Sequence, residues 1–354
     1  MLIQKTVKAK VIDPTNRKLE LLNKEYQGFQ DALYGNGADL YSATRQQAER
    51  FVKKIKKPKH RHYPLILRRD VIRLERQNTD LAPYWFKFPC FGVRGGIWLA
   101  LKSHCDIPND CSLREAKLIR RKKAWFIHLT IERSVEEPVV NPERFLAVDL
   151  GERYLATVCG GDGIQPQFLG KEVRGIRRHY AWLRKRLGER KLLSIVKKVG
   201  HTERRKVNAV CHQISRQIVD EAKETGSTIV LGDLKGIRQR AKGKRMNRIV
   251  SGMPYYKLAQ FIRYKALWEG IPVLVIPETY TSKACHRCGS IGSRPYQGLF
   301  LCHSCGLRYS ADLNGARNIL KRALGYIPSA GAVLAQPLTQ ATPLRFLDLR
   351  ILRL

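Results

Sequence analysis

No apolar run in the sequence approaches the roughly 20 residues that a membrane-spanning helix needs, and the first residues carry no signal-peptide pattern. A membrane protein and a secreted one are therefore disfavoured, and a cytoplasmic protein is expected. Cysteine is too sparse for a disulfide scaffold, with nine in 354 residues, and four of these form two close pairs that suit a metal ion better. Cys90, Cys105, Cys111, Cys159 and Cys211 are scattered and read as ordinary buried thiols. Acidic residues are the most conspicuous shortage. Asp and Glu number 30 against 66 Lys and Arg, a formal charge of +36. A hydrophobic content of 44% excludes a disordered chain and leaves ample material for two or three cores.

The positive charge is spread over the chain, as in Lys53, Lys54, Lys56, Lys57 and Lys59 and again in Arg174, Arg177, Arg178, Arg184, Lys185 and Arg186. A localisation signal or membrane-surface patch would concentrate it in a short tail. Charge carried by folded segments instead suits long contact with phosphate backbones, so nucleic acid is the expected partner and a membrane is not. Charge alone also fits a solubility bias or a ribosomal-type RNA binder.

Residues Ile3 to Val11 alternate as a strand, and spacing turns helical from Asp13-Pro14 to about Asp80 (Leu19, Leu22, Tyr26, Phe29, Leu33). Strand alternation returns from Tyr84 to about Ile131, so residues 1–15 and 84–140 are assigned to one β-barrel interrupted by a helical insertion at 16–83. Beyond the linker Glu136-Glu137-Pro138 come a hairpin (Phe145 to Val158), helices from 171 to about 224, a strand (Thr228 to Leu231), a helix (Tyr255 to Trp268), a strand (Pro272 to Ile276) and a last helix near Ala316 to Ala323. That order predicts an α/β sheet of the ribonuclease-H type. Val207, Val210, Ile214 and Ile218 make a buried stripe with His212 beside it as a packing residue. Residues 326–354 are expected to form a loosely ordered tail.

Cys285-His-Arg-Cys288-Gly and Cys302-His-Ser-Cys305-Gly are two knuckles separated by thirteen residues. Four thiolates converging from two tight turns suit a tetrahedral Zn2+, with a redox dithiol as the alternative. A shell closed by Cys285, Cys288, Cys302 and Cys305 makes the ion structural, and His286 and His303 are assigned to the surface.

Hydrolysis of a phosphodiester by two divalent ions about 4 Å apart needs carboxylates from different elements of a rigid sheet. Asp149 ends a buried strand and is one candidate, although an Asp there also fits a turn cap. Asp312 is another, with helix N-capping as its alternative. Ala147-Val-Asp-Leu-Gly151, Ile229-Val-Leu-Gly-Asp-Leu-Lys-Gly236, Tyr280-Thr-Ser-Lys-Ala-Cys285, the two knuckles and Asp312-Leu-Asn-Gly-Ala-Arg-Asn318 together resemble the TnpB family of transposon-associated, RNA-guided nucleases, relatives of the type V CRISPR effectors. The likeness runs from residue 145 to about 322, and more weakly Thr6 to Lys10 and Pro64 to Leu74 look like the family's wedge and recognition regions.

The resemblance implies a RuvC-like nuclease core at 145–283 and 309–325, interrupted by a zinc ribbon at 284–308, with 1–15 and 84–140 as a wedge barrel and 16–83 as a recognition insertion. It further implies a guide RNA, a double-stranded DNA target with an adjacent motif, association with an insertion-sequence transposon, and catalysis with Mg2+ or Mn2+ by a monomeric ribonucleoprotein. Base pairing would then choose the target, which suits a small protein with much unspecific charge.

One family position departs from the pattern. The second strand usually ends in Glu then Asp, and here it reads Gly232 then Asp233. Glu278, just past the next strand, can reach the vacated space because sites of open α/β sheets gather at strand carboxyl ends and adjacent strands lie about 5 Å apart. Asp233 is a second possibility, though successive strand residues face opposite sides. The third is a nuclease-dead RNA-guided DNA-binding factor or repressor, with Glu278 an exposed turn residue. The expected catalytic set is Asp149, Glu278 and Asp312, and a protein-only zinc-ribbon RNA binder is the reading from a different class. Trp85 and Trp98 fit base stacking or barrel packing, Arg94 fits a phosphate contact or a solvated charge, and the basic helix from Arg174 to Arg190 fits the surface of an RNA–DNA duplex.

Overall fold

Seven strands form in the first part of the chain, the longer ones carried by alternation of apolar and polar residues: β1 (Leu2–Val11), β2 (Leu65–Arg68), β3 (Arg73–Arg76), β4 (Tyr84–Cys90), β5 (Val93–Ser103), β6 (Ser112–Arg121) and β7 (Ala124–Ser134). A computed structural model describes residues 1–325 except 37, 55–61, 78, 123, 162, 234–242, 244–246 and 248–251. Lys56, Lys57, Lys59, Leu234-Lys-Gly236 and the expected tail at 326–354 therefore lie outside the described residues. The chain divides into two units, Met1–Glu136 and Glu137–Leu354.

In the first unit the strand order is β2-β6-β7-β1-β5-β4-β3. β2 and β3 are successive in sequence yet occupy opposite edges, joined by only Arg69 to Ile72. A flat sheet would hold those edges roughly 29 Å apart, six spacings of about 4.8 Å, whereas that link reaches at most about 17 Å. The sheet must curl. Its inner face carries Val7, Phe86, Phe88, Leu99, Leu118 and Leu129, all buried. Two helices, α1 (Asn16–Leu33) and α2 (Ser42–Lys54), fill the link between β1 and β2, with Leu22, Tyr26, Phe29 and Leu33 as the buried stripe of α1. Among the described residues, the α-helices of the expected insertion at 16–83 are α1 and α2, and the same stretch also holds β2 and β3. Leu65 and Leu67 alternate inward with a period of two and complete the sheet, a signal too short to show within a basic stretch. Trp85 and Trp98 are half-buried on the opposite face from Phe86 and Leu99.

The second unit is built on β8 (Phe145–Asp149), β9 (Ala156–Gly160), β10 (Gln167–Leu169), β11 (Thr228–Asp233) and β12 (Val273–Pro277), in the order β10-β9-β8-β11-β12. The first three are antiparallel; β11 runs parallel to β8, and β12 parallel to β11. β8 and β11 are buried on both faces, which is why they read as unbroken apolar runs. Leu146, Val148, Ile229 and Leu231 form one core with α4 (Leu193–Glu224) and α5 (Tyr255–Trp268); α3 (Glu172–Glu189) precedes α4 and contributes Val173. Phe145, Ala147, Val230 and Ile276 form the other with α6 (Ala311–Ala323). Among the described residues no helix is long and apolar enough to cross a membrane.

Candidate functional site

The face of the sheet covered by α6 ends in carboxylates. Because side chains alternate along a strand, Phe145, Ala147 and Asp149 share that face, as do Val230 and Gly232, and Ile276 and Glu278. Gly232 pairs directly with Ile276, so Glu278 projects beside it from two residues further on. A Cβ placed on Gly232 would lie 1.7 Å from Glu278 Oε1 and 2.3 Å from its Cγ and Cδ. Glu278 therefore fills the space that any side chain at 232 would need. Asp233, paired with Pro277, continues the alternation of Ile229 and Leu231 toward the opposite face.

Asp312 comes from α6. Ser310, not Asp312, caps this helix, its Oγ accepting from Leu313 N at 3.4 Å. The Asp312 carboxylate is thereby left to face β8. A Cβ on Gly151 would sit 3.7 Å from Asp312 Oδ1, and one on Gly315 would sit 2.5 Å from Asp149 Oδ2. Each acidic segment thus offers the other a bare glycine. Gly315 lies in a helix interior, where glycine costs about 1 kcal/mol relative to alanine.

Burial first, and then the Asp312 charge, push the Asp149 carboxyl up to about 7. Burial, with Asp149 and Asp233 nearby, pushes Glu278 up to about 8. Burial also raises Asp312, opposed by Arg294 and Arg153. Glu278 Oε1 and Asp312 Oδ2 are buried with no hydrogen-bond partner. Unpartnered acceptors beside raised carboxylates are what cation ligands look like without their cation, so this donor set fits divalent metal. Sequence reasoning missed Tyr255, a buried phenol raised by desolvation and by Glu152, Asp149, Glu278 and Asp312 together. It also missed Arg294, which donates to the Ala311 carbonyl at 3.2 Å and offsets the charge of Asp312.

The four cysteines meet. Their sulfurs lie within 4.8 Å of one another, with Cys285 Sγ 3.7 Å from Cys305 Sγ and Cys288 Sγ 3.4 Å from Cys302 Sγ. Gly289 and Gly306 turn the knuckles at φ +80° and +69°, which a side chain would resist. The cluster can hold a metal ion. Among the described residues it is the group of three or more such ligands that converges closely enough to share one ion. The strands β13 (Leu299–Leu301) and β14 (Arg308–Ser310) pair antiparallel beside the cluster, with Phe300 buried against Cys285 and Cys302.

His286 does not lie on the surface as expected. It is buried, its peptide N–H and ring Nδ1 each 3.0 Å from Asn314 Oδ1, with Arg317 donating to its Nε2 at 3.2 Å. Its partners are on α6, about thirty residues on, beyond the reach of local pattern. His303 is exposed beside Ser293. His212 stacks on Phe261 at 4.0 Å, a packing role. Of the scattered thiols, Cys90, Cys159 and Cys211 are buried and Cys105 and Cys111 half-buried.

Residues 255–319, which span α5, Glu278, both knuckles and Asp312, match the Cas12f1-like TNB domain family. A TnpB-like protein of Methanocaldococcus jannaschii is 30% identical over 200 residues, covering 52% of this chain and 72% of that protein. The chain belongs to the TnpB family. A TnpB-like protein of Aquifex aeolicus is also 30% identical, over 233 residues, covering 58% of this chain and 76% of its relative. The CRISPR-associated endodeoxyribonuclease Cas12f1 of Sulfoacidibacillus thermotolerans is 28% identical over 234 residues, or 61% of this chain. The match spans only 53% of that Cas12f1. For this TnpB-family chain, Gly232 and Glu278 are thus the features of the acidic cluster that need a physical account of their own.

Proposed function

We propose that the chain is an RNA-guided DNA endonuclease in which Asp149, Glu278 and Asp312 hold Mg2+ or Mn2+ and the four cysteines hold a structural Zn2+. The observation that carries this reading is the Glu278 carboxylate lying in the space beside Gly232. A dead nuclease would leave Glu278 as an exposed turn residue; its buried, unpartnered Oε1 supports the cutting reading instead.

Bound divalent ions supply Lewis-acid stabilisation and an activated water for in-line attack on a phosphodiester. The chain's own part is positional and electrostatic. Asp149 is fixed at the end of a strand buried on both faces, Asp312 on the first turn of α6, and Glu278 on the residue just past β12. Arg294 and Arg153 offset the acidic charge where a phosphate must approach. The first unit is read as wedge and recognition regions on a guide RNA, within a monomeric cytoplasmic ribonucleoprotein. The target is double-stranded DNA with an adjacent motif, and the net charge of +36 suits both polyanions.

Sequencing RNA that copurifies with the chain, then incubating that ribonucleoprotein with matching DNA and Mg2+, tests the proposal. Stoichiometric discrete RNA and guided cutting support it. Absence of such RNA favours the protein-only RNA binder, and guided binding without cutting favours the repressor.

A further inference from the structure

Glu278 lies one residue beyond β12, outside the hydrogen-bonded ladder that fixes Asp149. A ligand on a loop needs its backbone held by other means, because metal sites tolerate only about 0.5 Å of misplacement. The loop's carbonyls show how this is done. Arg322 Nη1 donates to the Pro277 carbonyl, and its Nη2 donates to that of Thr279 at 2.7 Å. Thr281 Oγ1 donates to the Glu278 carbonyl at 2.9 Å, and Asn318 Nδ2 to the carbonyls of Thr281 and Ala284, each at 2.7 Å. Asn314 adds a bond to Ala284 at 2.8 Å.

Asn314, Asn318 and Arg322 recur every four residues, so they form one stripe along α6. The helix that presents Asp312 on its first turn therefore grips the Glu278 loop along its length. Arg322 is the member of the stripe that straddles Glu278, bonding the residues on either side of it. It is also a countercharge that Glu278 feels, and Glu278 in turn acts on Arg322. Its planar fork suits two carbonyls at once in a way an ammonium does not.

We propose that Arg322 is a positioning residue that clamps the Pro277 and Thr279 carbonyls and so holds Glu278 over Gly232 in register with Asp149 and Asp312. The proposal rests on the reading of Glu278 as a metal ligand. In this chain a glutamate displaced from strand to loop is returned to a rigid frame by the helix that carries its partner carboxylate.

Two measurements on the guide-bound protein test it: affinity for Mn2+ by electron paramagnetic resonance, and the Mg2+ concentration giving half-maximal cleavage. In Arg322→Ala both should weaken about 10- to 100-fold, the usual consequence of losing a group that orients a ligand, while zinc content and target affinity stay unchanged. Arg322→Lys should fall between that variant and wild type, and added guanidinium should restore part of the Mn2+ affinity of Arg322→Ala. Wild-type Mn2+ affinity in Arg322→Ala overturns the proposal. Should Arg322→Ala lose zinc or target binding, Arg322→Lys decides: weakened Mn2+ affinity in a folded protein upholds the clamp, and wild-type affinity overturns it. A wild type that binds Mn2+ without cutting rejects the endonuclease reading alone, leaving Arg322 to be judged on Mn2+ affinity; unchanged Mn2+ affinity in Glu278→Gln overturns both Glu278 as a ligand and the Arg322 clamp that rests on it.

Discussion

The Glu278 carboxylate occupies the volume that a side chain at Gly232 would take, with its Oε1 1.7 Å from where that Cβ would lie. Even a methyl group at 232 must therefore displace Glu278. Gly232→Ala is expected to lower cleavage at least about 100-fold while target binding persists, since removing a charge-stabilising group from a catalytic site costs about that much. Gel-based cleavage and filter binding on the same preparation check this.

Gly315→Ala makes the same argument from the other side of the site. Alanine should strengthen a helix interior by about 1 kcal/mol, yet its Cβ would lie 2.5 Å from Asp149 Oδ2. Thermal unfolding should show no gain in stability, and cleavage should fall. A stabilised, fully active variant would mean that Asp149 does not need the space.

The raised carboxylates fix the sign of a pH effect. Asp149 titrates near 7 and Glu278 near 8 in the folded chain, against roughly 4 in the unfolded one. Such groups favour folding when protonated, so their contribution is complete below about pH 4 and is lost as pH rises through 7 to 8. Metal-free protein should lose thermal stability across that window, and Asp149→Asn should flatten the loss. Mg2+ should raise the melting temperature most at the alkaline end, where it competes with no protons.

Much of this was legible in the sequence. Strands buried on both faces announce themselves as Leu-Ala-Val and Thr-Ile-Val-Leu, and paired knuckles need no distant partner to be recognised. β10, with three residues, and the edge strands β2 and β3 were too short to show a period. The reach of Glu278 toward Gly232 followed from strand adjacency, but the fit depends on the register pairing Gly232 with Ile276, which no local pattern encodes. The burial of His286 and the grip of α6 on the Glu278 loop depend on contacts across about thirty to forty-five residues.

The four-cysteine cluster makes a separate prediction. Metal analysis should find one zinc per chain, and Cys302→Ser should release it. His286 bonds α6 through Asn314, so that variant should also loosen α6 and lower cleavage. Hydrogen exchange over residues 311–323 reads the loosening.

A third stability test lies away from the site. Glu203 of α4 is buried and bonded by Arg177 at 2.8 Å and by Arg184, both from α3. Removing the carboxylate leaves two half-exposed guanidinium groups without their partner. Glu203→Ala should destabilise the chain by about 2 kcal/mol, less than for a fully buried ion pair because the guanidinium groups stay part-solvated, as measured by denaturant unfolding.

The most direct test of the central claim is guided DNA cleavage by wild type, Glu278→Gln and the exchange variant Gly232→Glu with Glu278→Ala. If Glu278 supplies the carboxylate missing at 232, wild type cuts, Glu278→Gln falls at least about 100-fold, and the exchange variant regains part of the activity. Undiminished cutting by Glu278→Gln, or none by wild type, would contradict it.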